Sequence, residues 1–162
     1  FVFIVRGVPF YIQLVILYFI VPFVCGISRN PFIIGIFSLS ICSSVYTSNI
    51  LKGTINVISI SQWNTAIMLG YSNFNAMKHI ILPQAYRNSV PMFINEFDQV
   101  LKSTAVLSTV GIMEITRCGS NIISKNMKPI PIYCFIAVIY LLLSSSLSLL
   151  AFILRKRSGI KS

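Results

Sequence analysis

Residues 129–154 read PIPIYCFIAVIYLLLSSSLSLLAFIL, twenty-six positions without one charge. As a helix this run extends about 39 Å, more than the hydrocarbon core of a bilayer requires. Two further charge-free runs, Gly7 to Ser28 and Asn30 to Leu51, are long enough to cross in the same way. Hydrophobic residues make up 56% of the 162-residue chain and charged residues only 10%, which excludes an ordinary water-soluble domain. The apolar segments recur to the C-terminus and none precedes a small-residue cleavage site, so they read as spans and not as a removable leader.

The formal net charge is +10, from 13 Lys and Arg. These lie between the apolar runs, whereas a nucleic-acid surface interleaves basic and aromatic residues on one solvated face. The distribution therefore argues for a lipid bilayer and against nucleic acid as the partner. Cys25, Cys42, Cys118 and Cys134 lack the close spacing of metal or redox motifs. Cys118 is read as a small buried residue in a polar loop.

Working outward gives four spans. Span A covers Pro9 to Ile27, with Pro9 near its first turn, where a missing N–H costs little. The turn Ser28, Arg29, Asn30 and Pro31 leads to span B, about Phe32 to Leu51, making A and B antiparallel neighbours. Span C, Asn88 to Met113, carries Glu96, Asp98 and Lys102. A polar loop from Glu114 to Pro129 precedes span D, about Ile132 to Leu154, and a basic tail of Arg155, Lys156, Arg157 and Lys161. With alternating spans, eight basic residues (Arg6, Lys52, Lys78, Arg87 and the tail) fall on one side and four (Arg29, Arg117, Lys125, Lys128) on the other. The richer side is expected to be cytoplasmic, and with it the C-terminus.

The segment from 52 to 87 is then the largest cytoplasmic feature. Trp63, Ala66, Ile67, Gly70, Phe74 and Met77 recur at helical spacing, with Ser61 as the N-cap, a turn near Ser72 and Asn73, and a second short helix stopped before Pro83. Within it, Asn64, Thr65, Ala66, three residues, Gly70, nine residues and then Ile80, Ile81, Leu82, Pro83 resemble the signature loop of ABC importer permeases, E-A-A, three residues, G, nine residues, I-x-L-P. An ordinary interfacial helix explains the periodicity but not the fixed spacing to Ile-x-Leu-Pro.

Other segments narrow the resemblance to the permeases of polar amino-acid importers. Arg6, Gly7, Val8, Pro9 and Gln13 match R-G-T-P-L-L-V-Q; Ile81 to Ala85 match I-L-P-Q-A; Asn95, Glu96, Phe97, Leu101, Lys102 and Thr104 match N-E-F and L-K-x-T. Tyr46, Ile50, Gly53 and Ile55 keep spaced positions, and Gln62 and Trp63 precede the signature. Asn64 stands in place of the signature acid, Thr65 of an alanine, Asn49 of a usual acid and Ser103 of a usual Asp.

The resemblance implies an all-α type I ABC importer permease fold occupying residues 1–162 as one domain. Four helices of the five-span core are present, with the first expected upstream of Phe1, where the chain starts in mid-pattern without a Met. It further implies a coupling loop at 61–83, in which Gln62, Trp63, Asn64, Thr65, Ala66, Gly70, Ile80, Leu82 and Pro83 meet a cytoplasmic ATPase. The implied partners are that ATPase, an extracytoplasmic amino-acid-binding protein and a second permease subunit, homologous or identical. The implied place is the bacterial inner membrane, and the implied substrate is glutamine or a basic amino acid. No phosphate-binding G-x-x-x-x-G-K-[ST] occurs, so ATP is expected on the partner, and no catalytic site, cofactor or metal is assigned.

Ionisable groups at membrane depth usually face a protein-lined cavity. Asp98 and Lys102, four apart with the acid first, are read as a structural ion pair. Glu96 lies about 200° around the helix from Asp98 and is the pathway candidate, with the hydroxyls of Thr104 and Ser108 beyond it. The alternative for Glu96 is a brace to the signature loop through Arg87 or a backbone N–H. His79 is read as loop surface. Two rival functions are a membrane enzyme using Glu96 or Asp98 as acid or base, and a non-transporting remnant or scaffold.

Overall fold

The computed structural model describes residues 2–26 and 28–157, and among them every regular element is helical. In chain order these are α1 (Val2–Gly7), α2 (Phe10–Val15), a π segment (Ile16–Ile20), α3 (Val21–Cys25), α4 (Pro31–Val57), α5 (Ile60–Met68) and α6 (Asn73–Ala76). A second π segment (Met77–Ile81), α7 (Leu82–Ser103), a 3-10 segment (Thr104–Val110), α8 (Ile115–Asn126) and α9 (Pro129–Arg157) follow. Two helices, Pro31–Val57 and Pro129–Leu154, are long and apolar enough to cross a membrane. Ile27, Lys161 and the side chains of Arg155, Lys156 and Arg157, on which parts of the span A and basic-tail readings rest, lie outside the described residues.

The chain forms two compact units, Phe1–Val45 with Phe97–Ser146, and Tyr46–Glu96 with Leu147–Ser162. In the first, Leu14, Leu107 and Val110 are buried together, with Phe10, Tyr18, Leu39, Val106 and Ile112 packed around them. Gly35 on α4 admits this close approach, because a Cβ there would stand 2.9 Å from Ile112 Cδ1 and 3.3 Å from Leu107 Cδ2. In the second, Ala66, Ala76, Ile81 and Ala85 are nearly inaccessible.

Prolines shape both units. Span A is not one regular helix. Pro9, with its φ of −56° and ψ of 140°, caps α2 from outside, and the chain is broken between α1 and α2. Gln13 spans the break: its Nε2 donates to the carbonyls of Val5 at 2.8 Å and Val8 at 2.7 Å, two acceptors that lipid cannot satisfy. Further along, Pro22 and Pro83 each follow a π segment that ends two residues earlier. Proline has no N–H and its ring crowds the carbonyl four residues back, which is Tyr18 or His79. Widening that turn to the π pattern relieves the clash without ending the helix.

The elements differ from expectation at four further places. The second loop helix does not stop before Pro83; the π turn lets it run into α7, so span C is the later part of a helix that starts at Leu82. Span B continues past Leu51 to Val57. The stretch after Glu114 is a helix, because both carboxylate oxygens of Glu114 cap it, Oε2 accepting from Thr116 N at 2.8 Å and Oε1 from Arg117 N at 2.6 Å. Tyr140 Oη on α9 donates to the same Oε2 at 3.4 Å. Gly119 is the buried residue of α8 and lies against Ile132 and Ile136. Cys118 beside it is exposed, contrary to the buried reading, because the inward position of that turn belongs to Gly119.

Gln13→Leu keeps the volume and removes both amide bonds, and is expected to lower stability in detergent by about 1–3 kcal/mol. Gln13→Glu loses the same donors and should cost at least as much; thermal unfolding of the two variants checks this. Gly119→Leu overpacks the side chains of Ile132 and Ile136 and should cost about 1–3 kcal/mol. Gly53→Ala, in a helix interior with open space around it, should be neutral or stabilising by up to about 1 kcal/mol in the same assay.

Candidate functional site: the helix–turn–helix loop and the polar helix α7

The loop from 59 to 83 is built by its caps. Ser59, not Ser61, is the N-cap of α5, accepting from Ser61 N at 3.2 Å, so the helix starts one residue after Ser59. Thr65 Oγ1 donates to the Ser61 carbonyl at 2.8 Å, tying the second turn to the first. The helix closes at Leu69 and Gly70. Gly70 N donates to Ile67 O at 3.0 Å and Tyr71 N to Ala66 O at 3.1 Å, the paired bonds of a Schellman motif. That closure needs a left-handed residue, and Gly70 has a φ of +86°. Ser72 then caps α6 by accepting from Asn75 N at 3.3 Å.

The turn thus centres on Gly70, two residues before the expected Ser72 and Asn73. It also divides the apolar residues at helical spacing between α5 and the elements after the turn. Ala66 is buried and Trp63 half-buried, but Phe74, past the turn, is 73% exposed. Gln62, Asn64, Thr65, Leu82, Pro83 and His79 are exposed, and Ile80 is half-buried beside buried Ile81. Met68 and Leu69 project from the tip at 86% and 72% exposure. A groove of about 480 Å³ opens where α4 passes into the loop, lined by Val57, Ile58, Ile60, Trp63 and Ile81 among others. The loop therefore offers a rigid, glycine-hinged helix pair with an apolar tip, an arrangement suited to a protein cleft.

On α7, Lys102 Nζ donates to Asp98 Oδ2 at 2.5 Å, the expected pair. Asp98 Oδ1 is buried toward the hydroxyl of Ser144 on α9, and among the described residues neither atom completes a hydrogen bond of normal geometry. Ser144 joins the pair without any signal in the sequence, since a serine among serines in an apolar span marks nothing. Glu96 is half-buried, on the line of α7 that also carries fully buried Ala85 and Ser89, and it is engaged within the chain.

Thr104 and Ser108 are half-buried, but they lie in the 3-10 segment and not on a continued α-helix. Their hydroxyls donate to the carbonyls of Leu101 and Ala105 at 2.7 Å each, leaving acceptor lone pairs to offer a solute. A second Schellman motif ends this segment at Gly111, φ +89°, with Gly111 N to Ser108 O at 3.1 Å and Ile112 N to Leu107 O at 3.3 Å. The amide nitrogen of Asn49 is buried without an acceptor among the described residues. No group of three or more metal-ligating side chains occurs among them either.

Comparison with known proteins extends these local patterns to the whole chain. A glutamine transport system permease protein of Escherichia coli strain K12 is 31% identical over 157 residues, covering 96% of this chain and 70% of that protein. A Rickettsia felis protein provisionally named a glutamine transport system permease is 38% identical over 112 residues, 69% of this chain. The chain spans about half the length of that relative, 51%. The crystal structure titled as an amino acid ABC transporter with histidines superposes with a TM-score of 0.91 at 31% identity, over 96% of this chain and 72% of that one. The family model described as "binding-protein-dependent transport system inner membrane component" matches residues 1–159, and the chain belongs to that family.

Proposed function

We propose that this chain is the permease subunit of an ATP-driven importer that brings polar amino acids, glutamine or basic ones, across a bacterial inner membrane. The observation that carries the reading is the loop around Gly70. A helix pair closed by a Schellman motif, with Met68, Leu69 and Phe74 outward, has the build of a coupling element that docks in a cytoplasmic ATPase. Its partners are two ATPase subunits, an extracytoplasmic binding protein and a second permease, the same chain or a paralogue. ATP is held by the ATPase, and this chain performs no covalent step. The count of basic residues supports a cytoplasmic loop and C-terminus.

In this reading the binding protein delivers the amino acid, ATP-driven closure of the ATPase pair reaches the loop, and the helices that continue from it move. The second π turn and α7 follow the loop without a break, so displacement of α6 is transmitted directly to the helix that carries Glu96. Glu96 is suited to meet an ammonium group, with Thr104 and Ser108 beyond it, and the Asp98–Lys102 pair braces one turn of α7 itself. Asn64, in place of the signature acid, keeps hydrogen bonding and loses the charge-assisted part, about 1–2 kcal/mol.

The test is binding-protein-stimulated ATP hydrolysis by the full-length product, reconstituted with its ATPase in liposomes. Stimulation by glutamine or a basic amino acid is expected; stimulation by no amino acid contradicts transport and leaves the non-transporting remnant. Gly70→Val forces a β-branched residue into the left-handed region, at a cost of about 1–2 kcal/mol. It should reduce stimulation at least tenfold while the subunits still co-purify. Asn64→Glu should hold or raise the stimulation, and a sharp fall would count against a docking role for that position.

A further inference from the structure

A cavity of about 440 Å³ lies in the first unit, between the irregular helix that carries Pro22 and the start of α4. Leu17 of the π segment and Val21 of α3 line it, and Ile33, Ile34 and Phe37 line it from α4. Pro22, itself buried, completes the wall, so the same proline that widens the preceding turn also shapes this space. The volume falls within the range of small-ligand sites, about 300–1,000 Å³. Every lining residue belongs to the one segment Phe1–Val45.

One end of the cavity is polar. Ser28 and Asn30 line it where the turn enters α4. Asn30 Oδ1 accepts from Phe32 N at 3.0 Å and from Ile33 N at 3.3 Å, so its amide Nδ2 is the group left to donate. Arg29, between them, is exposed, and among the described residues no hydrogen bond or ion pair engages its side chain. The chain has only three acidic side chains. Asp98 is bonded to Lys102, both oxygens of Glu114 cap α8, and Glu96 is engaged within the chain. A counter-charge for Arg29 therefore comes from outside, and a second copy, with the same three acids, has none to lend. Residues 28–30 immediately precede Pro31–Val57, a helix long and apolar enough to cross a membrane, which sets them at headgroup level. Ile33, Ile34 and Phe37 then descend into hydrocarbon within about 9 Å of Pro31.

Apolar walls at hydrocarbon depth, beneath a cation, an amide donor and a hydroxyl at headgroup depth, match a phospholipid of negative charge. We propose that this cavity holds an acyl chain of an anionic phospholipid whose phosphate lies against Arg29, Ser28 and Asn30. The apolar wall alone gives no selectivity, because lipid outside the cavity is as apolar as the space within it. Filling the space recovers only the dispersion contacts that a void forgoes. Selection comes from the rim: one cation at the membrane surface favours an anionic headgroup about fivefold, equivalent to about 1 kcal/mol. The inference goes beyond the transport reading and rests only on α4 crossing the bilayer.

The test is photolabelling of the full-length product, assembled with its ATPase in liposomes that contain a trace of phosphatidylglycerol or phosphatidylcholine with a diazirine on one acyl chain. Adducts are mapped by peptide mass spectrometry. From phosphatidylglycerol, adducts on Leu17, Val21, Ile33 and Phe37 should be at least fivefold more frequent than on Leu141 and Leu142, exposed apolar positions of α9. From phosphatidylcholine the cavity yield should be about fivefold lower, and Arg29→Gln should bring phosphatidylglycerol down to that level. Ile34→Trp fills the cavity and should reduce its adducts to the α9 level; if that variant does not assemble, Arg29→Gln, at an exposed position, decides. Cavity yields equal to those on α9, or equal for the two lipids in the unsubstituted protein, overturn the proposal. So does a benzophenone amino acid in place of Phe37 that crosslinks to a polypeptide instead of lipid. Lipid adducts in a protein without stimulated ATP hydrolysis would keep the site and reject transport; an active importer without them would reject the site alone.

Discussion

Hydrocarbon supplies no hydrogen bonds, so each interruption of a membrane helix has to be repaired from within the chain. The breaks in the apolar helices follow from that constraint, and the same accounting of backbone donors and acceptors governs the water-facing loop. The break at Pro9 is closed by the amide of Gln13, which reaches two carbonyls at once. At Pro22 and Pro83 the preceding turn widens to the π pattern, and the helix continues. Helix ends at Gly70 and Gly111 are sealed by paired backbone bonds that a left-handed glycine permits. Glu114, a charged residue beside apolar spans, spends both oxygens on the free N–H groups of α8.

The same constraint divides the polar residues by what completes them. Thr104, Ser108 and Thr109 donate to carbonyls three residues back, which supports the tight 3-10 geometry and removes the need for water at each hydroxyl. Lys102 Nζ donates to Asp98 Oδ2 across one helical turn, while Asp98 Oδ1 completes no hydrogen bond among the described residues. The amides of Asn88, Asn95 and Gln99 make no side-chain hydrogen bond among the described residues. α7 follows the loop through a π turn and not through a flexible linker, so the two are continuous in the backbone.

Much of this was legible in the sequence, and the failures share a cause. The spacing from Ala66 through Gly70 to Pro83 marked the loop, charge-free runs marked α4 and α9, and the four-residue interval marked the Asp98–Lys102 pair. Pro83 reads as a stop because the rule that proline ends a helix omits the π turn, which has no signature of its own. The helix α8 was hidden because its cap is a glutamate and its outward face is polar, so its composition is that of a loop. Ser59 and Ser61 compete for the same cap, and only the backbone geometry, with φ of −55° and ψ of 133° at Ser59, separates them. Ser144 became visible only when α9 brought it to Asp98.

The central claim is that the Gly70 loop is the surface through which a cytoplasmic ATPase drives the membrane helices. Its most direct test is photo-crosslinking from the exposed tip, with a benzophenone amino acid in place of Met68 in the full-length product expressed with its ATPase. A crosslink to the ATPase whose yield changes between the nucleotide-free and ATP-bound states is the result this account predicts. Crosslinks to lipid alone, or a yield to the ATPase no greater than from Asn121, which the proposed orientation puts on the opposite side of the membrane, would contradict it.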